Sequence, residues 1–235
     1  MNDFFTSVPC FGLFLTLGSF QLARSINSRL SKPRLNPLLF STIVCIAVLL
    51  LGDIDYDTYY VSAGHLDFLL TPATICLAIP LYKQYTLLKK NTAAVAAGCI
   101  AGVAVHMAFT VLLLVIFSLD APGFATLLPK SITTAIGKGL SQELGGYPAV
   151  TMATIMLTGI FGAVAAPKLL KLMGVREPLA QGLAIGTSAH AAGTSRAVEM
   201  GEVQGAASSL AIVVTGLLTV VSAPLVNGLF PILVG

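Results

Sequence analysis

Charge-free apolar stretches follow one another along the chain at residues 4–23, 35–52, 68–82, 91–119, 144–167, 178–195 and 203–235. A bilayer core is crossed by about 20 largely apolar residues in a helix, so these windows predict a series of membrane-spanning helices. Short polar stretches between them set the orientation, because Lys and Arg collect in cytoplasmic loops. Arg24, Arg29, Lys32 and Arg34 place the first loop inside; Asp53, Asp55, Asp57 and Asp67 place the second outside. Lys83, Lys89 and Lys90 return the chain to the cytoplasm, and the next window ends near Asp120 on the outer side.

The alternation fails if residues 124–145 form a further full span, because Lys168, Lys171 and Arg176 would then lie outside. An interrupted segment that enters and leaves on the outer side restores it. The stretch LLPKSITTAIGKGLSQELGG is suited to this, with Pro129, Gly137, Gly139, Gly145 and Gly146 beside Lys130, Lys138 and Glu143. Residues 182–202, GLAIGTSAHAAGTSRAVEMGE, have the same character from the cytoplasmic side. The expected fold is therefore an all-α polytopic membrane protein of about six full spans and two broken or re-entrant helices.

A repeat of 57 residues reinforces the pairing. It superposes Pro72, Pro129 and Gly186, then Ala78, Ala135 and Ala192, then Gly102, Gly159 and Gly216. The last two units also match at Ser131 and Ser188, Thr158 and Thr215, Pro167 and Pro224. The chain reads as one integral membrane domain. Residues 1–65 give two N-terminal helices and 66–125 a first repeat-like unit; 126–182 form a second unit with broken segment 127–146, and 183–235 a third with broken segment 182–202. An odd number of crossings per unit would invert the second relative to the third, the arrangement of many secondary transporters.

Composition narrows the class further. Of the 235 residues, 56% are hydrophobic and 10% charged, against about 45–50% and about 25% in ordinary globular domains. Mean hydropathy is +0.90, so a secreted disulfide scaffold, a nucleic-acid binder and a disordered chain are excluded. Cys10, Cys45, Cys76 and Cys99 lie in apolar stretches without CxxC spacing and read as small buried hydrophobes. No nucleophile elbow, HExxH, P-loop or dinucleotide fingerprint occurs, which argues against an enzyme and against ATP-driven transport within this chain. No cofactor is expected.

The densest polar cluster is Thr187, Ser188, His190, Thr194, Ser195, Arg196 and Glu199. On an unbroken helix Thr187, His190 and Thr194 share a face, and Arg196 pairs with Glu199. Gly186 and Gly193 allow close approach or an opened turn. Charged groups inside a membrane line a pathway or pair with one another. Arg196 with the N–H groups of a broken helix suits a carboxylate, and His190 or Glu199 could couple H+ movement to transport, His190 being equally readable as a hydrogen-bonded structural residue; Na+ is the other candidate ion. Lys130, Ser131, Thr133 and Thr134 follow Pro129, with Lys130, Thr134 and Lys138 on one helical face; Lys130 either contacts substrate or snorkels to the outer surface. His65 and His106 stand isolated.

The run GTSAHAAGTSRAVEMGEVQGAASSLAIVVTGLLTVVSAPL (186–225) resembles the signature of the LrgB/CidB family of bacterial inner-membrane proteins, and LLPKSITTAIG (127–137) and LNPLL (35–39) resemble its other recurrent blocks. The resemblance implies a multi-pass protein paired with a smaller LrgA/CidA-like membrane partner. Members are described as holin-like or antiholin-like modulators of murein hydrolase activity and autolysis, and as carriers of pyruvate and related small carboxylates. The plastidial glycolate/glycerate translocator is similar to a fusion of the two partners. The matching positions are Lys130, Ser131, Thr133 and Thr134, and Thr187, Ser188, His190, Gly193, Thr194, Arg196 and Glu199. The leading expectation is a secondary transporter of small monocarboxylates; the alternative is a pore component regulating lysis through homo-oligomers, with faces such as Gly159 to Gly162 serving helix association.

Overall fold

In lipid every backbone N–H and C=O must find a partner within the chain, which a helix supplies locally. The computed structural model describes residues 10–29, 37–69, 72, 75–76 and 78–234, and every regular element among them is helical. Residues 4–9 of the first apolar window, the loop 30–36 with Lys32 and Arg34, and most of 70–77 lie outside the described residues. The chain divides into two compact units, 1–76 and 77–235.

The first unit holds α1 (Phe11–Arg29), α2 (Pro37–Leu51), α3 (Tyr56–Ala63) and a short 3-10 helix (Gly64–Leu69). Gly12 lies against the Tyr59 carbonyl, an approach that a side chain would block. Its N–H donates to Ser62 Oγ at 2.8 Å, and Thr16 Oγ1 meets the Tyr59 hydroxyl at 2.7 Å. Of the four cysteines, Cys99 is buried and Cys45 half-buried, while Cys10 and Cys76 are exposed. The apolar windows thus include outward-facing positions, and a small apolar residue there has no core to enter.

The second unit carries α4 (Ala78–Lys83), α5 (Tyr85–Lys90), α6 (Thr92–Phe117), α7 (Ala121–Leu127), α8 (Thr134–Glu143), α9 (Pro148–Leu172), α10 (Pro178–Met200), α11 (Glu202–Gly228) and α12 (Phe230–Val234). Helices α6, α9 and α11 are long and apolar enough to cross a membrane. With 26, 25 and 27 residues, each spans about 40 Å at about 1.5 Å per residue. Pro167 and Pro224 sit inside α9 and α11, toward their C-terminal ends, so α9 runs beyond the window that ended at Pro167.

Packing fixes the directions. Near the N-terminal end of α6, Val95 and Cys99 cluster with Ala206, Ala207 and Ala211 of α11. Farther along, Val103, Met107 and Leu114 join Ala223 and Val226. Helices α6 and α11 therefore run parallel. The chain turns into α7 at Asp120, whose Oδ1 accepts from the Gly123 N–H at 3.0 Å, an N-cap that satisfies one free donor of the first turn. Gly145 and Gly174 follow α8 and α9 with φ of 80° and 71°, a conformation that favours glycine.

Candidate functional site

Two helical hairpins occupy the space among the long helices. In the first, α7 and α8 are joined by the non-helical stretch 128–133. Ala121 and Pro122 at its start and Leu144 and Gly145 at its end line one hollow of about 420 Å³, together with Asn227, Gly228, Phe230 and Pro231. Both arms thus meet the C-terminal end of α11. Thr151 ties them, with its Oγ1 at 2.9 Å from the Thr126 carbonyl and 2.7 Å from Ser141 Oγ.

The second hairpin is α10 itself, which doubles back at His190 (φ 39°, ψ −135°). In a straight helix residues eight apart lie about 12 Å from one another. Here a Cβ on Gly193 would come within 2.9 Å of Ile185 Cγ2. The first arm climbs α11, with Gly182 against Gln204 and Ala207, then Gly186 against Ser208 and Ala211. The second arm descends it, with Thr194 Oγ1 2.6 Å from Ser208 Oγ, then Val198 against Gly205. This hairpin meets the N-terminal end of α11, where Val198, Gly201, Glu202 and Gly205 line a hollow of about 200 Å³ with Ile79 and Lys83.

The hairpins enter from opposite ends of α11, and their tips reach the middle of its neighbours. On α6, Gly102 receives Thr187 of the second hairpin, while His106, one turn farther along the same face, bonds the tip of the first. On α9, the Ile155 side chain packs against Gly137 of the first hairpin, and the Ile155 carbonyl accepts from His190 Nε2 of the second at 3.0 Å. Gly159, one turn on, lies against His190 and Ala192.

Lys130 and Ser131 lie in the stretch between α7 and α8, so the helical face expected to join Lys130 with Thr134 and Lys138 does not exist. The chain cannot be helical there because Thr133 is extended (ψ 147°) as the N-cap residue of α8. Lys130 is half-buried, with its Nζ 3.0 Å from His106 Nδ1 and 5.2 Å from the Phe109 ring centroid. Thr133 and Thr134 are half-buried at the start of α8, and Lys138 is exposed.

In the second hairpin, Thr187 donates to the Ala184 carbonyl at 3.2 Å, and the exposed Ser188 donates to the same carbonyl at 2.7 Å. Thr194 is buried and donates to the His190 carbonyl at 2.8 Å. The common helical face expected of Thr187, His190 and Thr194 is broken by the backbone at His190. Arg196 and Glu199 pair at 2.6 Å on an exposed face. The guanidinium is thus committed to a carboxylate of its own chain, away from the hairpin tip. Gly159 and Gly162, expected to serve association between chains, both pack against α10, Gly162 on Ala189. Among the described residues no group of His, Cys, Asp or Glu is arranged to hold a metal ion.

His106, isolated in the sequence, belongs to the site. Its Nε2 donates to the Leu128 carbonyl at 2.7 Å, and its Nδ1 faces Lys130 and also Ser131 Oγ at 3.2 Å. A spacing was available as a signal: His106 and Thr110, like His190 and Thr194, are four apart. In both pairs the threonine hydroxyl donates to the histidine carbonyl and Nε2 bonds a carbonyl of another segment.

Comparison with known proteins gives a consistent result. The family model described as LrgB-like matches residues 16–229. The Bacillus subtilis proteins YwbG and YxaC, both described as uncharacterized, are 34% and 33% identical over 90% and 94% of this chain, covering 94% and 96% of their own lengths. Holin-like protein CidB of Staphylococcus aureus is 33% identical over 98% of this chain and 100% of its own. No solved structure matches. A match of this extent, on a chain with three helices of membrane-crossing length among its described residues, makes the protein a membrane protein of the LrgB-like family.

Proposed function

We propose that this chain is a multi-pass component of the bacterial inner membrane that modulates murein hydrolase activity and autolysis, with no catalytic step of its own. The observation that carries this reading is the likeness to holin-like CidB along 98% of this chain and the full length of CidB. A smaller LrgA/CidA-like membrane protein and further copies of this chain are the proposed partners. Deleting the gene in its host and restoring it should shift detergent-induced autolysis and zymogram activity severalfold between the two strains. Identical lysis curves in both would sink the reading.

A specific observation favours a second reading, a secondary carrier of small monocarboxylates such as pyruvate, glycolate or lactate. Two hairpins from opposite ends of α11 meet, by their tips, the middle of apolar helices. Irregular backbone at that depth is tolerated where it is buried in protein or lines a cavity, and hairpin tips at mid-membrane are where carriers hold substrate. On this reading six full spans and the two hairpins form an inverted repeat. Lys130, Ser131, Thr133 and Thr134 face Thr187, Ser188, His190, Gly193 and Thr194 across the substrate. Arg196 and Glu199 stand at the base of the second hairpin, and His190 and Glu199 couple H+ or Na+. Purified protein in liposomes should take up labelled pyruvate saturably. Uptake equal to that of empty vesicles removes the carrier reading and leaves the first standing.

A further inference from the structure

The ring nitrogens of His106 have fixed roles. Nε2 faces the Leu128 carbonyl, which can only accept, so Nε2 carries the hydrogen and Nδ1 offers one lone pair. Two donors compete for that lone pair: the Lys130 ammonium at 3.0 Å and the Ser131 hydroxyl at 3.2 Å. An ammonium carries three donors, and beyond Nδ1 the contact of Lys130 is the face of Phe109. Among the described residues the ion pair is Arg196 with Glu199, and no carboxylate neutralises Lys130. A half-buried cation and a buried hydroxyl therefore share an acceptor that satisfies only one donor well. A carboxylate, with about four lone-pair sites, would satisfy both.

We infer that Lys130 and Ser131 form an anion seat at the tip of the first hairpin, and that His106 is its resident acceptor, holding both donors until a small carboxylate displaces it. This rests on the carrier reading and adds to it a positioning residue on α6. The exchange needs no proton transfer: the carboxylate takes the two hydrogen bonds, and His106 keeps its bond to Leu128. His106 thereby holds the donors aimed in the empty protein and competes for them when the anion must leave. Removing the acceptor should tighten binding and slow release. The size of the effect is one charge-assisted hydrogen bond, about tenfold in affinity.

Nitrogen NMR of histidine-labelled protein in nanodiscs is the direct test, because the chain has only three histidines and a His106→Gln variant assigns the resonance. Adding pyruvate should move the His106 Nδ1 signal saturably toward that of an acceptor free of hydrogen bonds, and Lys130→Met should abolish the movement. In liposomes His106→Leu should lower KM about tenfold and lower kcat with it, while His106→Gln, which keeps an acceptor, should restore wild-type values; a merely structural role would raise KM or leave it unchanged. Saturable uptake with an immobile His106 signal overturns this inference and spares the carrier reading. A moving signal without uptake supports the seat and overturns the carrier reading.

Discussion

A methyl group at position 186 would stand 2.5 Å from the Ser208 carbonyl oxygen and 2.7 Å from Ala211 Cβ, so neither backbone could keep its place. At Gly139, on the exposed side of α8, nothing lies within 4 Å. Gly186→Ala should cost about 1–3 kcal/mol from overpacking, whereas Gly139→Ala should be neutral or stabilise by up to about 1 kcal/mol through helix propensity. Thermal unfolding in detergent separates them: Gly186→Ala melts lower, Gly139→Ala does not. Equal melting temperatures would mean that close contact between α10 and α11 does not hold the hairpin. Both residues sit in apolar or Gly-rich text, and the sequence offers no sign of which glycine faces a neighbour.

The element that distinguishes this fold is α10. Its apex residue, His190, adopts φ 39° and ψ −135°, which a side chain other than glycine's holds only under strain of about 1–3 kcal/mol. What secures it is the Nε2 bond to Ile155 and the Thr194 hydroxyl on its carbonyl. His190→Gly and His190→Ala lose the ring alike, but only glycine relieves the backbone. His190→Gly should therefore melt measurably higher than His190→Ala, with both impaired in lysis control or uptake. A lower melting point for the glycine variant would show that the apex is unstrained. The break was legible in outline, since Gly186, Gly193 and the polar run 187–199 mark residues 182–202 as unsuited to a lipid-facing helix. That the reversal falls on His190 was not legible, because histidine is no turn former and the bond that holds it comes from α9.

For the molecule as a whole, the hairpins make a claim about sidedness. Asp120 and Gly145 flank the first hairpin, and Gly174 and Gly201 lie beside the base of the second. In a cysteine-free background, single cysteines at 120 and 145 should react with an impermeant thiol reagent from outside in intact cells. Those at 174 and 201 should react only after the membrane is opened. Labelling of 120 and 145 from opposite sides would turn the first hairpin into a full span and remove the opposed arrangement. The positions of Lys168, Lys171 and Arg176 call for the same sidedness by the charge rule, whatever the helix packing.

The sequence by itself determined the class of protein, the places of the long apolar helices α6, α9 and α11 and the location of the two interrupted segments. Those follow from local quantities, namely apolar run length, loop charge, and glycine and proline content, which belong to each segment and need no tertiary contact. The tertiary structure decided which polar groups meet. Arg196, prominent in the sequence, is spent on Glu199 three residues away; His106, featureless in the sequence, receives Lys130 and Ser131 from a segment more than twenty residues distant. A side chain's partner depends on helix direction and on the close approaches that glycines permit, and neither is encoded within the window of residues around it.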